Sequence, residues 1–496
     1  MRQRLREPLG QPFIDAVLGP LLRADAEASL PAMVAANQAH LVMLHAGGLI
    51  DAAAAAPVAR ALDTIARDGL APDQLDPALE DLYANLERAV AALAGEDAAG
   101  RMHLARSRND LWATVARMNA RATLLGTGER LLDLRARLLE LAEAHADLVM
   151  PGFTHLQPAQ PITAGFYLHG IEQALARDAG RLADAYPRLN RCPLGAGALA
   201  GTSFPIDREL TARLLGFDAP LASALDAVAS RDFALEILST FALAALTLSR
   251  LAEDLYFWSS GQVGLLDFSG AVAVASSIMP QKKNAAALEH MKGRAGQVVG
   301  ALTAALTAAK GTHFMHSRDT SVETTLPLAQ GEQALRVILD LARAVLDATT
   351  FRPDAGLRAT ATDFSTITDL ADTLVREAAL PFRLAHEICA TLVRDALEAG
   401  HGPAGLHAAA VNAAASARAG RPIRLSEAAV RSALDPAATV ARRAHLGGTA
   451  PAAVRAAIAA ARDDLARDRA ALDARRSALA TAHATLATHT HALIHR

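Results

Sequence analysis

The sequence predicts an all-α protein in three domains, and three observations carry that expectation. Of 496 residues 52% are hydrophobic but only 4% are aromatic. The apolar mass is therefore Ala, Leu and Val, and Ala and Leu have the best helix propensities. Apolar residues recur at helical spacing, while the strict alternation of strands is scarce. The helical stretches are longest in the middle and shorter on either side, which divides the chain into residues 1–105, 106–360 and 361–496. Length alone allows two to four average domains, a prior that large helical enzymes exceed.

Residues 1–105 read as short helices broken by Pro8, Pro12, Gly47-Gly48 and Pro72. The first residues lack a long apolar run ahead of a small-residue cleavage site, so no signal peptide is expected. The central part reads as long helices separated at Met150-Pro151-Gly152, Pro193 to Gly201, and Gly261 to Pro280. Within it, Phe233 to Ser249 is apolar enough to invite a membrane reading, at the short limit for a span. It contains Glu236 and is flanked by Arg231, Asp232 and Arg250. A helix apolar on all sides also fits the centre of a large bundle, and that reading predicts a cytoplasmic protein without a membrane partner. After Pro353 shorter helices resume, with breakers at Pro381, Gly400 to Gly402, Gly420 to Pro422 and Gly447-Gly448. From Pro451 onward the Ala-, Arg- and Asp-rich stretch reads as one long amphipathic helix. No solenoid period is visible.

A formal net charge of −3 argues against nucleic acid, whose phosphates demand a basic excess. Cys192 and Cys389 are too few for a disulfide framework or a zinc motif and read as buried thiols. The tail histidines His483, His489, His491 and His495 stand among Ala and Thr with no carboxylate or thiol nearby, so they read as solvated. No metal site is expected.

Three polar clusters interrupt the apolar pattern. Arg106, Ser107, Arg108, Asn109 and Asp110 immediately precede a helical stretch. A helix N-terminus favours anions and Arg grips a carboxylate bidentately; a surface salt-bridge patch is the alternative. Thr154, His155 and Gln157 supply three hydrogen-bonding side chains in four residues between helical stretches, and a lone loop His is often structural. Ser276, Ser277, Lys282, Lys283 and Asn284 surround Pro280 in a polar loop, with Glu289 on the following helix; an ordinary basic surface loop is the plain reading.

Together the clusters resemble one family. Ser276-Ser-Ile-Met-Pro-Gln-Lys-Lys-Asn284 resembles the signature loop of the aspartase/fumarase superfamily. Its Gln-Lys-Lys-Asn ending is similar to the argininosuccinate lyase branch, where fumarases and aspartases carry Gly-Lys-Val-Asn. Ala105 to Asp110, Gly152 to Gln160 and Pro193 to Gly201 resemble further elements of that branch. So do Glu80-Asp81, Asp207-Arg-Glu, Ser230-Arg-Asp-Phe, Ala252-Glu-Asp, Thr368 to Asp372, Pro381 to Glu387 and Gly447 to Pro451. The resemblance implies an almost wholly helical fold whose central long helices form a 20-helix core in a homotetramer. Each active site would then take the three clusters from three different subunits. The expected reaction eliminates fumarate from an N-substituted aspartate, a small dicarboxylate substrate, without cofactor. Ser276 would be the general base and Lys282 and Asn284 would stabilise the aci-carboxylate. Ser107, Arg108, Asn109, Thr154 and Ser277 would hold the two carboxylates, Gln157 and Met279 would also contact substrate, and His155, oriented by Glu289, would place a proton towards the leaving nitrogen.

The chain departs from the pattern at several positions. Ala275 stands where Gly is usual, which predicts restriction of a loop needing unusual dihedrals. Tyr83 stands where His is common. On the amine side the branch typically has Tyr, Lys-Asp, Gln and Lys; this chain has His316, Arg318-Asp319, Ser321 and Thr324, and Asp25 is the nearest match to an N-terminal acid. Site groups built for one polar substrate reject analogues. The substrate is therefore either argininosuccinate or another N-(1,2-dicarboxyethyl) amine such as ethylenediamine-N,N′-disuccinate, whose extra carboxylate could use His316 or Arg318. Structural lens crystallins in the family supply a non-catalytic alternative, against which Ser276, His155, Glu289, Lys282 and Asn284 are all present.

Overall fold

The computed structural model describes residues 7–495. Twenty α-helices among the described residues are joined by short connections and four two-stranded pairings. Five long helices, Arg108–Ala144, Ala164–Leu189, Asp232–Ser259, Ala286–Lys310 and Leu326–Ala348, pack side by side as the central bundle. Their Leu- and Ala-rich faces make one continuous apolar core, including Leu138, Leu168, Phe241, Met291 and Ile338. Small residues allow close crossing: a Cβ on Gly165 would stand 2.3 Å from the Ala142 carbonyl oxygen, so only glycine fits there.

Two smaller apolar clusters flank the bundle. One gathers the helices up to residue 118 with residues 192–217; the other is confined to residues 364–434. The last helix, Pro451–Ile494, lies along the first two cores through Ile458, Leu465, Leu486 and Leu493. It is tied to the bundle by a buried arginine. Arg135 donates from Nε to Glu172 at 2.8 Å and from Nη1 to Asp468 at 2.6 Å, joining three helices. Cys192 and Cys389 are buried free thiols.

Asp232–Ser259 has the length and apolarity of a membrane span, yet a little over half of its most apolar window is buried inside the chain. Glu236 in its first half receives Arg188 Nε at 3.0 Å. The helix is the middle of the bundle, and its uncovered face carries Leu243 and Leu246, 43% and 48% exposed.

Arg135→Met should destabilise the chain by about 3–5 kcal/mol, because Glu172 is left as an unpaired buried charge. Asp468→Asn, at the solvated end, should cost under about 1 kcal/mol. Urea unfolding of both variants reads the difference.

Candidate active site

The first polar cluster begins the 37-residue helix Arg108–Ala144. Ser107 is its N-cap, and the Asp110 side chain returns to the Ser107 N–H at 3.0 Å, completing a capping box. Asp110 is fully buried, and its second oxygen accepts the N–H groups of Gly195 at 2.9 Å and Gly197 at 3.0 Å. Burial pushes the Asp110 carboxyl above its ordinary range, opposed by these bonds and by Arg106. Gly197 has φ 62°, and a Cβ there would lie 2.6 Å from the Gly201 carbonyl oxygen. The Pro193–Gly201 loop is thereby fixed over the helix start, where Asn109 Nδ2 donates to the Ala198 carbonyl at 3.1 Å.

Arg108 is not a free cation. It donates to Asp81 at 3.1 Å and Glu80 at 3.2 Å. Burial works to lower its pKa, but the two carboxylates outweigh burial and the net shift is upward. Arg318, from the segment after the Ala286–Lys310 helix, stands 3.8 Å from the same Asp81 carboxylate. Asp25 completes this corner: burial and then Asp81 push its carboxyl up to about 6, against Arg318 and Ser29. Arg106 turns inward instead, to Asn37 Oδ1 at 2.5 Å and to Tyr83 OH at 3.4 Å. Tyr83 is buried and also shares a 2.8 Å hydrogen bond with His103 Nδ1, so this departure serves the interior.

The second cluster is the tip of a β-hairpin. Strands Val149–Thr154 and Gln157–Thr163 pair antiparallel with Thr154 opposite Gln157. His155 and Leu156 are therefore the two turn residues, with φ 55° and 59° as in a type I′ turn. Imidazole-bearing residues tolerate that region, whereas leucine is strained in it. Thr154, His155 and Gln157 are all exposed. The sequence reads as a loop between helical stretches here; Pro151, Pro158 and Pro161 lack the ladder donors that would mark a strand.

The third cluster is a second hairpin. Val274–Ala275 pairs with Lys283–Asn284, and the Ser276 N–H closes the loop on the Lys282 carbonyl at 3.4 Å. The Ser276 hydroxyl oxygen accepts the backbone N–H groups of Met279 at 3.1 Å and Ile278 at 3.4 Å. Ser277, Met279 and Lys282 are exposed and Asn284 is half-buried. Ile278 at the tip is 82% exposed. The two lysines differ: Lys283 is paired with Asp267 at 2.6 Å, while Lys282 has no ion pair among the described residues. Ala275 lies in a strand and has no positive φ, so the restriction expected from a missing glycine does not arise. Ala105, ahead of the first cluster, does take a positive φ of 63°, as Ala379 does at 53°. Glu289 sits in the first turn of Ala286–Lys310 and accepts the Tyr256 hydroxyl at 3.0 Å.

On the amine side, His316 is half-buried, and burial followed by the Arg231 and Arg318 guanidiniums pushes it down to about 4. It is neutral at neutral pH. Ser321 donates to the Ser317 carbonyl at 2.8 Å, and Thr324 is fully buried. Among the described residues no hydrogen bond or ion pair joins His155 to Glu289 or the three clusters to one another within one chain. The chain brings Ser107, Arg108, Asn109 and Arg318 together, and separately Ser276, Ser277, Met279, Lys282, Asn284 and Glu289. Glu80, Asp81, Tyr256, Lys283 and Asp267 were not given site roles by sequence, although Glu80-Asp81 and Lys283 lie in elements that carry the family resemblance.

A helical fold carrying these clusters defines a lyase: a family model described as "Lyase" matches residues 24–300, and one described as "Argininosuccinate lyase C-terminal" matches residues 364–441. Argininosuccinate lyase 1 of Shouchella clausii is 40% identical over 451 residues, covering 91% of each chain. Argininosuccinate lyase of Methanoculleus marisnigri is 42% identical over 90% of this chain and 89% of that one. A crystal structure of EDDS lyase in complex with formate superposes with a TM-score of 0.87 at 33% identity, over 99% of this chain and 97% of the other. The chain belongs to the argininosuccinate lyase family and is a carbon–nitrogen lyase of the aspartase/fumarase type.

A carboxyl whose folded pKa lies above its ordinary 3.8 binds its proton more tightly in the folded chain. The contribution of Asp25 to stability is therefore greatest below pH 3.8 and falls as pH rises towards about 6. Asp25→Asn should raise stability by roughly 1–3 kcal/mol at pH 7, discounted for partial exposure, and by much less at pH 4. Denaturant midpoints at the two pH values check the sign.

Proposed function

We propose that the protein eliminates fumarate from an N-substituted L-aspartate, with Ser276 as the general base. The observation that carries this reading is the cradle around Ser276: two backbone N–H groups point at its oxygen, and Lys282 stands near the loop base without a counter-ion. A serine hydroxyl is a poor base in water. Preorganised donors in a dry site stabilise its alkoxide. Ser276 takes the proton from the carbon beside one carboxylate, and Lys282 and Asn284 stabilise the dianion that develops. The electron pair then forms the carbon–carbon double bond as the C–N bond breaks. The departing nitrogen takes a proton by way of His155, which Glu289 orients. Ser107, Arg108, Asn109, Thr154 and Ser277 hold the two carboxylates, with Gln157 and Met279 lining the substrate. No cofactor enters these steps.

Among the described residues no hydrogen bond or ion pair joins the three clusters within one chain, which supports a homotetramer whose active sites each draw on three subunits. The uncovered apolar face of Asp232–Ser259, with Leu243 and Leu246, supports burial of that helix between subunits in a cytoplasmic enzyme. Leu243→Glu/Leu246→Glu should dissociate the assembly of 51.8 kDa chains and abolish turnover, read by size-exclusion light scattering.

A second reading concerns the amine. Ser321 and Thr324 spend their hydroxyls on the Ser317 and Asp319 carbonyls, and His316 and Arg318 are what remains to meet the leaving group. That set favours an amine other than arginine, such as ethylenediamine-N,N′-disuccinate provides. Fumarate release followed by ultraviolet absorbance, with argininosuccinate and the disuccinate side by side, tests it. Turnover of argininosuccinate alone would remove this second reading, and silence on both would count against the first.

Ser276→Ala should lower turnover by roughly two to four orders of magnitude while leaving assembly and binding of substrate near normal. Near-normal turnover would exclude Ser276 as the base.

A further inference from the structure

The second lysine of the Gln281–Asn284 ending has no part in the chemistry above, yet it is the better held of the pair. Lys283 Nζ donates to the Phe268 carbonyl at 2.6 Å and stands 2.6 Å from Asp267 Oδ1. The other Asp267 oxygen takes Arg352 Nη2 at 3.2 Å. Asp267 and Phe268 belong to strand Leu266–Phe268, which pairs with Thr349–Phe351 and backs onto the apolar core through Leu266, Phe268 and Phe351. Lys283 is itself the strand partner of Ala275, the residue before Ser276. The base of the serine loop is thus tied to the strand behind it by the Lys283 side chain, with Val272 and Ala285 packed on the core to either side, while the tip carries only bonds within the loop among the described residues.

We propose that Lys283, with Asp267 and Arg352, is the hinge clamp of the serine loop: a positioning group that keeps Ser276, Lys282 and Asn284 in register while the tip moves. The proposal rests on the reading of Ser276 as base for its catalytic consequence, but not for its structural one. Lys283 acts through the strand it pins and touches no substrate. Its neighbour Lys282, one residue earlier, is left free. An ion pair half open to solvent contributes little to global stability, so loss of the clamp is felt in geometry: a displacement near 1 Å in a catalytic group costs about 100-fold in rate.

The full-length enzyme with Lys283→Met, Lys283→Arg and Asp267→Asn tests this, assayed by fumarate release from argininosuccinate and from ethylenediamine-N,N′-disuccinate. Lys283→Met and Asp267→Asn should each lower kcat about 10- to 100-fold with KM changed less than about threefold, and Lys283→Arg should recover most of the loss. Hydrogen exchange gives a readout independent of turnover. The amides of Ile278, Met279 and Lys282 should exchange about tenfold faster in Lys283→Met, with the Ala286–Lys310 helix unchanged. Wild-type exchange and kcat in both clamp variants would overturn the proposal, as would a rise in KM at constant kcat. If Ser276→Ala retains turnover, the reading of the base fails while exchange still decides the clamp.

Discussion

One buried carboxylate sets the start of the helix on which the rest of the molecule is hung. Asp110 accepts three backbone N–H groups from two segments, the Ser107 cap and the Gly195–Gly197 turn. Removing a buried acceptor leaves its donors without partners, which is far costlier than losing an exposed bond. The helix it begins, Arg108–Ala144, packs against Ala164–Leu189, Leu326–Ala348 and Pro451–Ile494. The same three bonds fix Ser107, Arg108 and Asn109 at its first turn. Folding and the placement of these candidate binding residues therefore share one anchor.

The sequence made the helical class, the long central bundle and the single terminal helix legible, because helical periodicity and Ala/Leu composition act locally. The three polar clusters were legible as interruptions of that pattern. What was hidden depends on partners distant in sequence. Nothing near Arg108 announces that Glu80 and Asp81, nearly thirty residues earlier, will neutralise it. Lys282 and Lys283 look alike until a strand pairing sends the second to Asp267. The His155 hairpin escaped because its prolines erase the strand signal, and among the alanines a positive φ falls at Ala105 and Ala379 rather than at Ala275. Thr324 reads as a polar site position and is buried.

The membrane-like composition of Asp232–Ser259 has a plain origin in this architecture. A helix at the centre of a bundle, with Ile237 and Phe241 packed inward and Leu243 and Leu246 left uncovered, needs apolar residues on most of its circumference. The same helix also carries Tyr256 to Glu289. Apolar burial and the alignment of a polar pair are then two ends of one rigid element.

The chain of ion pairs from Glu80 through Arg108 and Asp81 to Arg318 has a bearing on the choice among anions. An arginine already neutralised by two carboxylates is a weak sink for chloride, phosphate and other bulk anions. A monoanion gains little by displacing partners that are covalently part of the chain. A dicarboxylate brings two charges at a fixed separation and can exchange for both. On the proposed role of Arg108 as a carboxylate ligand, discrimination against common ions would begin with the contacts its guanidinium already holds to Glu80 and Asp81.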